Sequence, residues 1–196
     1  PDGSPIAYGV SSSGSERSTL HITRTSDRQL LTDTIPFTRA VALDWLPDNS
    51  GFYYTRFPSP DTIAAGDDYY YRWVYQHKLG DDYQNDALIY GPEVEKTAWT
   101  GAALSPDGTR LMIYIWRGSA DVTWLYRDLT DPAGEFVPLY DSVDGAFSVT
   151  LLDDRFLVTT NWEAPRYRVL TGSYDAPRIE NWQETIAERE SIIESA

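Results

Sequence analysis

Apolar residues in this chain do not keep one period. In 111–116 (Leu-Met-Ile-Tyr-Ile-Trp) and 156–158 (Phe-Leu-Val) they occupy consecutive positions, whereas 166–169 (Arg-Tyr-Arg-Val) alternates. A strand with one wet face alternates, and a strand covered on both faces does not have to. The continuous runs are short, rich in aromatic and β-branched residues, and bounded by Gly, Pro, Asp and Asn, which predicts buried strands rather than helices. The alternating segments are expected at a solvent-facing rim. Only 183–194, rich in Glu, Ala, Arg and Ile, has the composition of an amphipathic helix. Its place in the order of segments favours a strand at 181–186 instead and leaves 188–196 open.

That order repeats. Leu104-Ser105-Pro106-Asp107-Gly108 precedes one apolar run, and Leu46-Pro47-Asp48-Asn49-Ser50-Gly51 precedes another. Pro1-Asp2-Gly3 opens the chain in the same way, and Leu152-Asp153-Asp154 is a degenerate fourth copy. The equivalent aspartates at 2, 48, 107 and 153 are spaced by 46, 59 and 46 residues. The long interval holds a turn-rich insertion at 57–68. Proline presets φ for such a turn, and Gly or Asn accepts the positive φ that follows.

Each copy holds a strand before the turn (40–45, 99–104, 147–152) and a second directly after it (52–56, 110–116). A third follows at 19–24, 69–78, 122–128 and 166–171, and a shorter outer one at 29–31, 87–90, 136–140 and 181–186. Four antiparallel strands per roughly 46 residues is the arithmetic of a β-propeller blade. The expected fold is therefore all-β, an incomplete ring of blades at about 1–36, 37–94, 97–142 and 143–187. Residues 188–196 would begin a further blade or form a terminal segment. The first blade would lack its inner strand, and a two-sheet sandwich is the second choice. A start inside a turn suggests an excised fragment.

Charge and composition narrow the chemistry. Thirty acidic residues against 16 basic ones give a net charge of −14, which disfavours nucleic acid and anionic membranes. There are no cysteines and no apolar run long enough to span a bilayer. His21 and His77 each sit in a strand pattern and are both expected to face solvent. Neither a P-loop, a G-x-G-x-x-G fingerprint nor a G-x-S-x-G elbow is present. Asp48-Asn49-Ser50-Gly51 lacks the further carboxylates of a calcium loop and reads as a hairpin turn. The acidic pairs Asp67-Asp68 and Asp81-Asp82 need only hydration, and Tyr69-Tyr70-Tyr71-Arg72-Trp73 reads as core plus aromatic rim rather than a stacking platform. No cofactor or metal is expected.

The collinear phrases 7–16, 45–54, 77–80 with 87–90, 101–108 and 167–170 resemble the propeller domain of the prolyl oligopeptidase family of serine peptidases. The likeness runs through essentially the whole chain. It implies about four of seven blades and a separate α/β-hydrolase domain, absent from this segment, that carries the Ser, Asp and His of the triad. No catalytic residue is therefore expected here. Implied partners are that hydrolase domain and short peptides, which the propeller would admit while excluding folded proteins. Oligopeptidase B, a basic-specific cousin, shares the architecture.

In relatives the loop after the second strand of the third unit approaches substrate with an arginine and a small residue. Here it reads Ile115-Trp116-Arg117-Gly118-Ser119, so the resemblance makes Trp116, Arg117 and Ser119 the substrate-channel candidates. Arg117 stands one place from the usual arginine, and a plain surface arginine is the other reading. A TolB-like, non-enzymatic propeller is the alternative for the chain. Open blade faces would favour self-association, and the expected compartment is the cytoplasm, with the periplasm as alternative.

Overall fold

The computed structural model describes residues 2–118 and 121–194. The described strands form four antiparallel sheets, and no helix in them exceeds a single 3₁₀ turn. The first sheet contains β1 (Pro5–Val10), β2 (Ser18–Arg24) and β3 (Leu30–Thr38) in that order. The second contains β4 (Leu43–Trp45), β5 (Gly51–Arg56), β6 (Trp73–Lys78) and β7 (Ala87–Tyr90). In the third, β8 (Trp99–Leu104), β9 (Arg110–Gly118), β10 (Asp121–Asp128) and β11 (Val137–Pro138) pair in succession. The fourth holds β12 (Phe147–Leu151), β13 (Arg155–Thr160), β14 (Arg168–Ser173) and β15 (Gln183–Ile186). The chain divides into two compact units, Pro1–Ala103 and Leu104–Ala196.

The helix-like composition of 183–194 loses to its context. Gln183–Ile186 pairs with β14, and 187–194 form neither strand nor helix. Twelve residues are too few to sustain an isolated helix against a ready sheet edge. The outer strand of the first sheet runs Leu30–Thr38, longer than the 29–31 read from the pattern, with two register shifts where it meets β2. The stretch 69–72 lies outside any strand, and β6 begins only at Trp73.

The recurring Pro-Asp turn has one physical basis. Asp48 Oδ1 accepts the Ser50 amide at 2.9 Å and the Ser50 hydroxyl at 2.7 Å, while Asn49 takes φ 57°. Asp107 Oδ1 accepts the Thr109 amide at 3.0 Å, Oδ2 accepts the Thr109 hydroxyl at 2.7 Å, and Gly108 takes φ 75°. Asp2 accepts the Ser4 amide at 2.8 Å. In each case the side chain bonds the amide two residues on, and at the second and third copies it adds to backbone bonds from Asn49 N to Leu46 O at 3.0 Å and from Gly108 N to Ser105 O at 2.8 Å. The fourth copy, Asp153-Asp154, keeps the backbone bond, Leu152 N donating to Arg155 O at 2.9 Å, without a side-chain bond from Asp153 among the described residues.

The continuous apolar runs lie in the second strand of the second, third and fourth sheets. All six residues of β5 are buried, as are Leu111, Met112, Ile113 and Ile115 of β9. In the first unit, Leu20, Ile22 and Ile35 of the first sheet pack on Phe52, Tyr54 and Tyr75 of the second. Phe52 meets Trp45 edge-on at 4.9 Å, a geometry that aromatic quadrupoles favour. In the second unit, Tyr140 stacks on Phe147 at 4.3 Å, and Trp182 meets Phe156 edge-on at 6.0 Å. The hydroxyls of Tyr140 and Tyr174 donate to Val122 O and Leu152 O, so these buried phenols leave no donor unsatisfied.

Two expectations about polar residues are corrected. His77 does not face solvent; it is 1% exposed. The acidic pairs are not merely hydrated. Asp68 pairs with Arg17 at 2.7 Å, Asp67 with Lys96 at 2.9 Å, and Asp81 accepts from the Asn85 amide group at 2.9 Å. The Tyr69–Trp73 segment divides. Arg72, 5% exposed, donates to Thr55 Oγ1 and lies 4.5 Å from the Trp99 ring, while Tyr69 stays half exposed beneath Arg17.

Candidate functional site

β9 and β10 pair as a hairpin, and the expected substrate-channel residues Trp116 and Arg117 lie near the end of β9. A register shift between Asp121 and Val122 leaves Trp116 opposite Val122 and Gly118 opposite Asp121. Such a bulge re-aims the side chains beside it. Trp116 is 44% exposed, unusual for so large an apolar side chain. It lines a cavity of about 500 Å³ together with Val122, Phe147, Thr159, Tyr167 and Ile192. The wall supplied by Ile192 is held by two bonds. Arg166 N donates to Glu188 Oε1 at 2.6 Å, and Ile193 N donates to Arg166 O at 3.1 Å.

Arg117 behaves differently from Trp116. Its Nη1 donates to Thr123 Oγ1 at 2.9 Å and reaches Asp121 Oδ1 at 3.4 Å, so the guanidinium folds back on its own hairpin. It does not line the cavity. Ser119 lies outside the described residues. Of the three candidates, the structure brings Trp116 to a concave surface and holds Arg117 beside it.

A second polar constellation lies in the first unit. His77 Nδ1 is 2.8 Å from Asp86 Oδ1, and Nε2 is 3.0 Å from Asp33 Oδ1. Asp33 Oδ1 also accepts the Gly80 amide at 2.6 Å. Tyr54 Oη donates to Asp86 Oδ2 at 2.6 Å and accepts from Arg56 Nε at 3.0 Å. Burial alone would push the imidazolium pKa down, but the hydrogen bonds to Asp86 and Asp33 outweigh it and hold His77 above its ordinary value. With a carboxylate on each ring nitrogen, the imidazole carries both protons. Burial also drives the Tyr54 phenol far above its usual range. A protonated imidazole locked between two acids has no lone pair to offer, so His77 is neither a general base nor a metal ligand in this arrangement. Among the described residues no cluster of His, Cys, Asp or Glu is placed to hold a metal ion.

The signal for this constellation was present but indirect. Asp33 shares the inward phase of β3 with Leu31 and Ile35, and His77 shares that of β6 with Tyr75. An acid and an imidazole, each in the inward phase of a neighbouring copy, are a pair that burial forces together.

The comparisons with known proteins agree with this geometry. Residues 1–196 match the family described as the prolyl oligopeptidase N-terminal β-propeller domain. Prolyl oligopeptidase A of Galerina marginata is 28% identical over 98% of this chain, which covers 29% of that protein. A prolyl endopeptidase of Elizabethkingia meningoseptica is 26% identical, again over 98% of the chain and 27% of the relative. A solved prolyl endopeptidase structure superposes with TM-score 0.87 at 26% identity, covering 96% of this chain and 28% of the other. Prolyl oligopeptidase B of Galerina marginata, solved with a 35mer hydrolysis and macrocyclization substrate, shares the fold at TM-score 0.81 and 22% identity. The chain thus spans under a third of the length of these relatives. The sheets are propeller blades of the peptidase type rather than of a TolB-like module, and the chain belongs to the prolyl oligopeptidase family as part of its N-terminal β-propeller domain.

Proposed function

We propose that this chain is part of the substrate-gating wall of a serine peptidase that cuts short peptides at proline. The cutting would be done by a Ser-His-Asp triad in a hydrolase domain that the propeller covers. The family match along the whole chain carries this reading. The described residues support a non-catalytic role for the segment itself, since His77 is locked between acids and His21 lies against Tyr8, 5.9 Å between ring centroids. Trp116 supplies the apolar contact for a peptide, with Arg117 fixing the hairpin that presents it. The experiment is to express the complete reading frame around this segment and label it with a serine-directed fluorophosphonate. Labelling that a proline-containing peptide competes away supports the proposal, and a polypeptide that never labels defeats it.

The segment alone is expected to self-associate. The first sheet has three strands where the others have four, so β1 is an edge. It also exposes Ile6, Tyr8 and Val10, a combination that templates pairing with another chain. Light scattering showing a monomer at high concentration would contradict this.

A further inference from the structure

A second cavity, of about 390 Å³, opens where the connection from β5 to β6, residues 57–72, returns to the second sheet. Its one charged lining residue is Arg56, which is 8% exposed. The guanidinium lies 3.8 Å from the Tyr75 ring centroid and 5.5 Å from that of Tyr83. Two aromatic faces hold its plane and leave its edge for hydrogen bonding. That edge is poorly used. Nε donates to Tyr54 Oη at 3.0 Å, and Nη1 reaches only the Phe57 carbonyl, at 3.5 Å. The other guanidinium hydrogens have no acceptor among the described residues.

No carboxylate touches Arg56 directly. Asp86 reaches it through the Tyr54 hydroxyl, and Asp61 is taken up by the Ser59 hydroxyl. Neither acid lines the cavity. Trp73, also in the wall, keeps its indole Nε1 buried with no acceptor among the described residues. A buried indole N–H without an acceptor is costly to leave unmet, and the guanidinium beside it has hydrogens to spare.

We propose that the Arg56 cavity binds a carboxylate. A planar anion matches the fork that the two tyrosine rings leave open. A single guanidinium with no second cation in the wall suits one negative charge better than the two of a phosphate. Gln84 lines the rest of the cavity with an amide that can donate to a second carboxylate oxygen, while the Ser59 and Thr62 hydroxyls, which donate to Asp61 and to Ser59 O, can still accept from a peptide N–H. The source is a peptide's C-terminal carboxylate or an acidic side chain, and the same chemistry serves both. This site goes beyond the gating role, since it requires neither a hydrolase domain nor the Trp116 hairpin.

The test is a titration of the isotope-labelled chain followed at the Arg56 Nε–H and Trp73 indole resonances. Three probes are used: N-acetyl-Ala-Ala as the free acid, the same peptide as its C-terminal amide, and N-acetyl-Glu amide. The free acid, the Glu derivative or both should shift the Arg56 signal saturably in the millimolar range, and the stronger of the two assigns the source. The amide should not shift it. Gln84→Glu places a carboxylate in the wall of the site without altering side-chain shape. It should weaken acid binding by about tenfold or more while the chain stays folded, equivalent to about 1.4 kcal/mol. An Arg56 signal unmoved by either acid, an amide that shifts it equally, or undiminished binding by Gln84→Glu overturns the proposal.

Discussion

His77 Nε2 lies 3.0 Å from Asp33 Oδ1, joining the outer strand of one blade to the third strand of the next across 44 residues of sequence. Both side chains are at most 2% exposed. A contact of this kind is weak evidence for net stability but strong evidence for register, because breaking it leaves a buried charge uncompensated. It pins β3 to β6 at one position, where apolar packing alone would tolerate slippage.

The first prediction concerns pH. Burial depresses the His77 pKa, the bonds to Asp86 and Asp33 raise it by more, and the folded value ends above the ordinary one. The stabilisation is therefore fully present below the ordinary imidazole pKa of about 6.5 and is lost as pH rises through the raised folded value. Urea midpoints should fall across that alkaline window in the parent chain, and His77→Gln should remove the fall. Asp33→Asn should cost about 3 kcal/mol or more at neutral pH, since it leaves the imidazolium one carboxylate short.

The second concerns close backbone approach. A Cβ at Gly51 would stand 2.1 Å from the His77 carbonyl oxygen, an atom fixed in the β5–β6 ladder. Gly51→Ala should lower stability by about 1–3 kcal/mol or more, as overpacking does, because backbone cannot yield as a side chain can. Thermal unfolding of the variant reads the loss directly, and an unchanged midpoint would show that the two strands can part.

The third separates the repeated turns. The bonds from Ser105, Thr109 and its amide outweigh desolvation and hold the Asp107 carboxyl below its ordinary pKa. Its stabilisation is present above the unfolded value of about 3.9 and lost as pH falls through the depressed one. Asp107→Ala should cost about 1–2 kcal/mol, the loss of a turn's side-chain bonds. Asp153→Ala, in the copy where the aspartate makes no turn bond, should stay within about 0.5 kcal/mol of the parent in the same denaturation series. Equal losses at both sites would mean that the aspartate bonds do not hold the turn.

Much of this molecule was legible before its coordinates. The repeat of Asp2, Asp48 and Asp107 marks the hairpins because one side-chain bond recurs there. The unbroken apolar run at Leu111–Ile115 marks a strand covered on both faces. Burial of His77 was not legible, because its two carboxylates arrive from 44 residues before and 9 after and no local spacing announces them. The direction of Arg117 was likewise set by Thr123 across a bulge. Short-range chemistry is written in adjacent residues, whereas a polar core is written in the pairing of distant strands.

A fourth prediction addresses the channel residues in the complete polypeptide. Trp116→Ala removes the exposed indole from the cavity and should raise KM for a short peptide several-fold with little change in kcat, the mark of lost uniform binding. Arg117→Ala should act mainly through the hairpin, with a smaller rise in KM. Steady-state kinetics on the two variants distinguishes them, and a Trp116 variant with unaltered KM would remove that residue from the substrate path.

The most direct measurement compares peptide turnover by the complete polypeptide with turnover by residues 1–196 alone, using a fluorogenic proline-containing octapeptide and a folded protein as substrates. The complete polypeptide should cut the octapeptide after proline and spare the folded protein, while residues 1–196 should cut neither. A complete polypeptide inert toward the octapeptide, or clear turnover by residues 1–196 by themselves, would contradict the assignment of this propeller to a gated serine peptidase.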